Sequence, residues 1–61
     1  MKQYWCYVRN QDGRVDARET LECSNDNEAF GGAQRYLSEN PSIPTVEVWL
    51  DNRYVGKIHS H

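Results

Sequence analysis

The chain has 61 residues, a formal charge of −2, and 38% hydrophobic residues. A domain of that length buries only about 60% of the surface its unfolded chain exposes, so it is expected to depend on a well-used sheet face, a disulfide, a metal or a partner subunit. Opposite charges are interspersed, which excludes a nucleic-acid binder that is basic over its whole length. No apolar run approaches the roughly 18 residues of a membrane span, and the Met-Lys-Gln-Tyr start lacks a signal-peptide pattern, so a cytoplasmic protein with no membrane partner is expected.

The first periodic stretch, "YWCYVRNQDGRVDARETLEC", alternates as a hairpin with Asp12-Gly13 at its turn. A two-residue turn needs positive φ, which Asp-Gly supplies. The two strands are expected over residues 3–10 and 14–23. A two-residue loop sets Gln11 opposite Arg14, Arg9 opposite Asp16, Tyr7 opposite Arg18, Val8 opposite Ala17, Cys6 opposite Glu19 and Tyr4 opposite Leu21. The competing arrangement, a type I turn plus bulge over residues 10–13, slips the register by one and mixes charged with apolar residues on both faces.

A helix is expected over residues 26–39. Asn25 has N-cap chemistry and Glu28 stands three residues later, the spacing of a capping box. Ala29, Phe30, Ala33, Tyr36 and Leu37 recur at helical spacing, and Asn40-Pro41 closes the element. Gly31 and Gly32 interrupt it, each costing about 1 kcal/mol relative to alanine in a helix interior. Close helix–sheet packing or simple tolerance is the expected reason, with a hinge or a ligand-approach point as the alternative.

"TVEVWLDNRYVGKI" reads as a second hairpin, with strands over residues 45–50 and 54–59. A three-residue loop, Asp51 to Arg53, pairs Leu50 with Tyr54, Val48 with Gly56 and Val46 with Ile58. It also opposes Glu47 to Lys57, a favourable cross-strand charge pair, whereas a two-residue loop would place Arg53 and Lys57 among the valines.

The order strand–strand–helix–strand–strand implies one α+β domain over residues 1–61. Its expected form is two layers, a largely antiparallel four-stranded sheet with one helix on one face. Tyr4, Val8, Val15, Ala17, Leu21, Val46, Val48, Leu50, Tyr54 and Ile58 are expected beneath Phe30, Ala33 and Leu37. Pattern alone leaves the placement of the two hairpins beside each other open.

The succession of Gln11-Asp12-Gly13-Arg14, the acidic helix entry "NDNEAFGGAQRYLSENP" and Val46-Glu47-Val48-Trp49 resembles a group of short uncharacterised bacterial proteins. These share a strand–D-x-D-G-R–strand, helix and V-E-V/L-W hairpin layout. The similarity spans residues 4–58. It departs at Gly31-Gly32, where helix formers are usual, and at Asp51-Asn52, where a glycine-containing turn is usual. The resemblance implies the β-β-α-β-β fold and transfers no activity.

If Tyr4, Cys6 and Val8 face the helix, Trp5, Tyr7 and Arg9 face away. Trp49 and Val55 join them from the second hairpin, with Arg18 and Lys57 nearby. A contiguous aromatic patch on an uncovered sheet marks an interface, and tryptophan, tyrosine and arginine are the residues of interface hot spots. The expected function is therefore non-catalytic binding through Trp5, Tyr7, Arg9, Arg18, Trp49, Val55 and Lys57, with a homodimer or another protein as partner. The alternative is single-stranded nucleic acid stacked on the aromatics, with arginines meeting phosphates. A third possibility is an amphipathic surface with no partner.

Enzyme chemistry is not expected, because no nucleophile, base or phosphate-cradling loop converges in this pattern. No cofactor is expected either. His59 and His61 share a strand face, but without a further C-x-x-C or H-x-x-x-H they make a weak zinc signal. Glu19 beside Cys6 is expected at the sheet margin. Four residues at about 3.3 Å each separate Cys23 from the position opposite Cys6, roughly 13 Å against the 7 Å limit for a disulfide. Both thiols are expected to be free.

Overall fold

Asn10 organises the first turn. Its backbone N–H donates to Arg14 O at 2.9 Å, and Gly13 N–H donates to Asn10 O at 3.0 Å. Its side-chain Oδ1 accepts from the N–H groups of Asp12 and Arg14. Gly13 takes φ +83°, the left-handed conformation that follows a type I turn in a three-residue hairpin loop. The computed structural model, which describes residues 1–59, therefore has the longer turn rather than the two-residue loop.

The register nevertheless agrees over most of the hairpin. Strand β1 (Lys2–Arg9) pairs with β2 (Val15–Cys23) so that Tyr4 faces Leu21, Cys6 faces Glu19, Tyr7 faces Arg18 and Val8 faces Ala17. A bulge at Asp16 absorbs the residue that the longer turn displaced, and Arg9 faces Val15 instead of Asp16. Two one-residue irregularities cancel. Between them the phase is inverted, so Val15 leaves the expected core and stands 45% exposed on the other face.

The second hairpin repeats this device. Strand β3 (Thr45–Leu50) turns through Asp51-Asn52 into β4 (Arg53–His59), with Leu50 opposite Arg53 and Trp49 opposite Tyr54. The expected three-residue loop is replaced by a two-residue one, with Asp51 at φ +54°. Aspartate is among the few residues other than glycine that enter this region readily. An extra residue at Val55 restores the expected pairs Val48–Gly56, Glu47–Lys57 and Val46–Ile58. Tyr54 is thereby moved out of the expected core and Val55 into it.

Helix α1 (Asp26–Glu39) begins as its sequence dictates, with Asn25 Oδ1 accepting from Glu28 N–H at 2.9 Å. Glu28 reciprocates one residue earlier than a capping box requires, accepting from Ser24 N–H at 2.8 Å. At the far end Asn40 donates to Leu37 O through its backbone and to Tyr36 O through its side chain.

The sheet order is β2-β1-β3-β4, antiparallel throughout, with the two hairpins joined by β1 against β3. The result is a two-layer α+β fold. Tyr4, Cys6, Val8, Cys23, Val46 and Val48 lie buried under Ala29, Ala33 and Leu37, with Leu21, Phe30, Tyr36, Ile43, Leu50, Val55 and Ile58 around them. Ala17, expected in this core, is exposed, because most of the edge strand β2 extends beyond the cover of the helix.

Glycines set the spacing between layers. The ring of Phe30 occupies the place of a side chain at Gly56, where a Cβ would lie 2.6 Å from Phe30 Cζ. At Gly32 a Cβ would lie 3.0 Å from Leu21 Cδ1, so close helix–sheet packing explains this one of the helical pair. Gly31 faces open space.

Candidate functional site

The face away from the helix is built in rows, because antiparallel partners on neighbouring strands project to the same side. Thr20, Trp5, Trp49 and Tyr54 form one row across the four strands. Arg18, Tyr7, Glu47 and Lys57 form the next. Trp5 and Trp49 are direct cross-strand partners at the centre of the sheet.

Trp49 is the hub. The Tyr7 ring meets it edge-on with centroids 6.4 Å apart and planes at 87°, and the Tyr54 ring does so at 5.2 Å and 68°. Both arrangements suit the aromatic quadrupole, and such pairs contribute about 0.5–1.5 kcal/mol beyond the area they bury. Trp5, Tyr7 and Trp49 are half-buried and Tyr54 is 46% exposed.

Arg9 and Glu47 form the polar centre. Arg9 Nε lies 3.0 Å from Glu47 Oε1, and both atoms are shielded from solvent. The contact is a charge pair without a directed N–H···O bond. Arg9 Nη1 also donates to Gly13 O at 2.6 Å, which ties the face to the first turn. Tyr7, Arg9, Val15, Glu47, Trp49, Asp51 and Asn52 line an open cleft of about 320 Å³. Ligand pockets of that size normally enclose most of their ligand, whereas this cleft is open to solvent.

Six of the seven residues expected on this face are on it: Trp5, Tyr7, Arg9, Arg18, Trp49 and Lys57. Val55 is not. The β4 bulge turns it inward to pack against the core, and Tyr54 takes the place beside Trp49. Sequence reasoning missed Tyr54, Val15 and the Arg9–Glu47 pair. The signal for Tyr54 was Asp51-Asn52, two residues that suit a two-residue turn and would have set Tyr54 opposite Trp49.

A second polar cluster joins three elements at the helix start. Tyr4, fully buried, donates its O–H to Asp26 Oδ1 at 2.6 Å, and Arg53 Nη2 approaches the same carboxylate at 3.2 and 3.4 Å. The hydrogen bond to Asp26, then burial, push the Tyr4 phenol up to about 12. The same hydrogen bond, followed by that from Arg53, holds the Asp26 carboxyl below its ordinary value. Each member is satisfied by the others, so the cluster fastens β1, α1 and β4 together.

Cys6 and Cys23 are free and buried, and burial pushes the Cys6 thiol up to about 11. Glu19 is exposed. Among the described residues no three His, Cys, Asp or Glu side chains gather as a metal site. His59 lies on β4 with its Nδ1 3.2 Å from Thr45 Oγ1, and His61 lies outside the described residues. No helix among the described residues is long and apolar enough to cross a membrane. No protein-family model, curated protein or solved structure matches the chain.

Proposed function

We propose that this is a non-catalytic binding protein whose working surface is the outer sheet face, and that the face associates with the same face of a second copy. The observation that carries the reading is the direct opposition of Trp5 and Trp49 on a face no helix covers, with Tyr7 and Tyr54 braced around Trp49. Aromatic anchors already held in place lose little side-chain freedom on binding. Two-fold dimers are the commonest assemblies. A domain with so small a core also gains stability when a partner covers its remaining apolar surface.

Nucleic-acid stacking is less well supported. Arg9 is engaged by Glu47 and Gly13, and the Glu47 carboxylate stands in the middle of the face, where a phosphate backbone would meet it. Sedimentation equilibrium tests the proposal. Trp5→Ala with Trp49→Ala removes the anchors without entering the core, so the variant should stay folded by circular dichroism and lose the face-to-face contact. An assembly of unchanged mass in the double variant would overturn the reading.

A further inference from the structure

The sheet has two free edges, β2 and β4. Edge strands present unpaired N–H and C=O groups, and natural sheets guard them with bulges, lysines or short strands. β4 is guarded in two ways, by the bulge at Val55 within the strand and by Lys57. β2 is not. Beyond the bulge at Asp16 it runs from Ala17 to Cys23 in unbroken register with β1, and only Leu21 and Cys23 along it are covered.

Alternation fixes which backbone groups of β2 are free. Asn10 N–H bonds to Arg14 O, so residues of β1 in phase with Asn10, namely Val8, Cys6 and Tyr4, direct their backbone groups toward β2. Their partners Ala17, Glu19 and Leu21 direct theirs back. Arg18, Thr20 and Glu22 therefore point their N–H and C=O groups outward to solvent.

We propose that β2 pairs antiparallel with β2 of a second copy about a two-fold axis at Thr20, joining two sheets into one of eight strands. The register follows from charge. An axis at Arg18, Glu19 or Glu22 sets that charged side chain against its own copy. An axis at Leu21 sets Arg18 against Ser24 and Thr20 against Glu22, leaving every charge unmatched. An axis at Thr20 opposes threonine to threonine and sets Arg18 against Glu22 of the partner subunit twice over, both favourable cross-strand pairs. It also makes hydrogen-bonded pairs of the residues whose backbone groups point outward. Among the described residues neither Arg18 nor Glu22 has an ion-pair partner within its own chain.

The backbone edge of β2 borders the aromatic face, on which the side chains of Arg18 and Thr20 also stand. The pairing extends that face, placing two copies of the Trp5–Trp49 row on one continuous sheet. Edge pairing and face stacking together give an assembly of four copies.

Charge reversal with sedimentation equilibrium tests the edge. Arg18→Glu should weaken the edge contact at least tenfold, because it sets carboxylates against one another, and Glu22→Arg should do the same with cations. The double swap Arg18→Glu with Glu22→Arg should restore it. Thr20→Pro should also abolish it, since proline is tolerated where the strand's N–H faces solvent but removes the central inter-copy hydrogen bonds. Both charged residues are exposed, so the variants should melt as folded proteins. In the Trp5→Ala with Trp49→Ala background, which removes face stacking and leaves the edge contact in place, the same reversals and the double swap should act on the edge alone, so the two contacts fail separately. An Arg18→Glu variant that associates as tightly as the parent would overturn the proposal. So would a double swap that fails to recover.

Discussion

Replacing Gly56 by alanine puts a methyl group where the ring of Phe30 already sits. A Cβ there lies 2.6 Å from Phe30 Cζ and 3.0 Å from Cε1, against the roughly 3.5–4.0 Å of carbon atoms in favourable contact. The ring must withdraw by about 1 Å to restore that contact distance. It is not free to do so without disturbing its neighbours, because Phe30 is partly buried and packs against the core cluster. Overpacking of this kind costs about 1–3 kcal/mol, and the restricted unfolded chain returns at most about 1 kcal/mol. The expected net loss is about 1–2 kcal/mol, which in a domain of this size lowers Tm by roughly 4–15 °C. Thermal and urea melts followed by far-ultraviolet circular dichroism, at one fixed protein concentration, measure it. Phe30→Leu in the Gly56→Ala background should recover part of the loss by withdrawing the ring's far edge. A Gly56→Ala protein as stable as the parent would refute the packing of α1 on β4.

Three further outcomes are expected. Gly31→Ala should raise stability by about 0.5–1 kcal/mol in the same melts, since its Cβ meets open space and the backbone is helical, whereas Gly32→Ala should gain less because Leu21 stands 3.0 Å away. The Asp26 carboxyl, held low chiefly by the Tyr4 hydrogen bond, contributes stability that is present above its ordinary value of 3.8 and lost as pH falls through the folded value. The Tyr4 phenol contributes stability that is complete below pH 10 and lost between 10 and about 12, so urea titrations across pH should show both losses and Tyr4→Phe should reduce the alkaline one. Cys6 and Cys23 should react with iodoacetamide at pH 8 only through opening of the fold, their labelling rising by orders of magnitude in urea; rapid labelling of the native protein would contradict their burial.

Much of the architecture was legible because it rests on local chemistry. Asn25 and Glu28 announce a helix start, Asn40-Pro41 announces its end, and alternation across residues 4–8 and 46–48 announces which side chains go under the helix. What the pattern did not carry was the local phase near each turn. Both hairpins combine a turn with a compensating bulge, and a pattern of period two reports only the sum of the two. The pairs far from the turns came out as expected, while Val15, Tyr54 and Val55 exchanged faces. The sheet order was equally illegible, because the β1–β3 pairing joins residues about forty apart and no turn encodes it. The Tyr4–Asp26–Arg53 cluster had no sequence signal for the same reason, its members lying 22 and 27 residues apart.

The aromatic face allows a direct measurement, because the chain has two tryptophans and both lie on it. All tryptophan emission therefore reports on that surface. Acrylamide quenching should be followed over protein concentrations from the nanomolar range to the millimolar. The account predicts quenching that weakens severalfold as copies stack and the two indoles leave solvent. A quenching constant that stays the same across the whole range would contradict it.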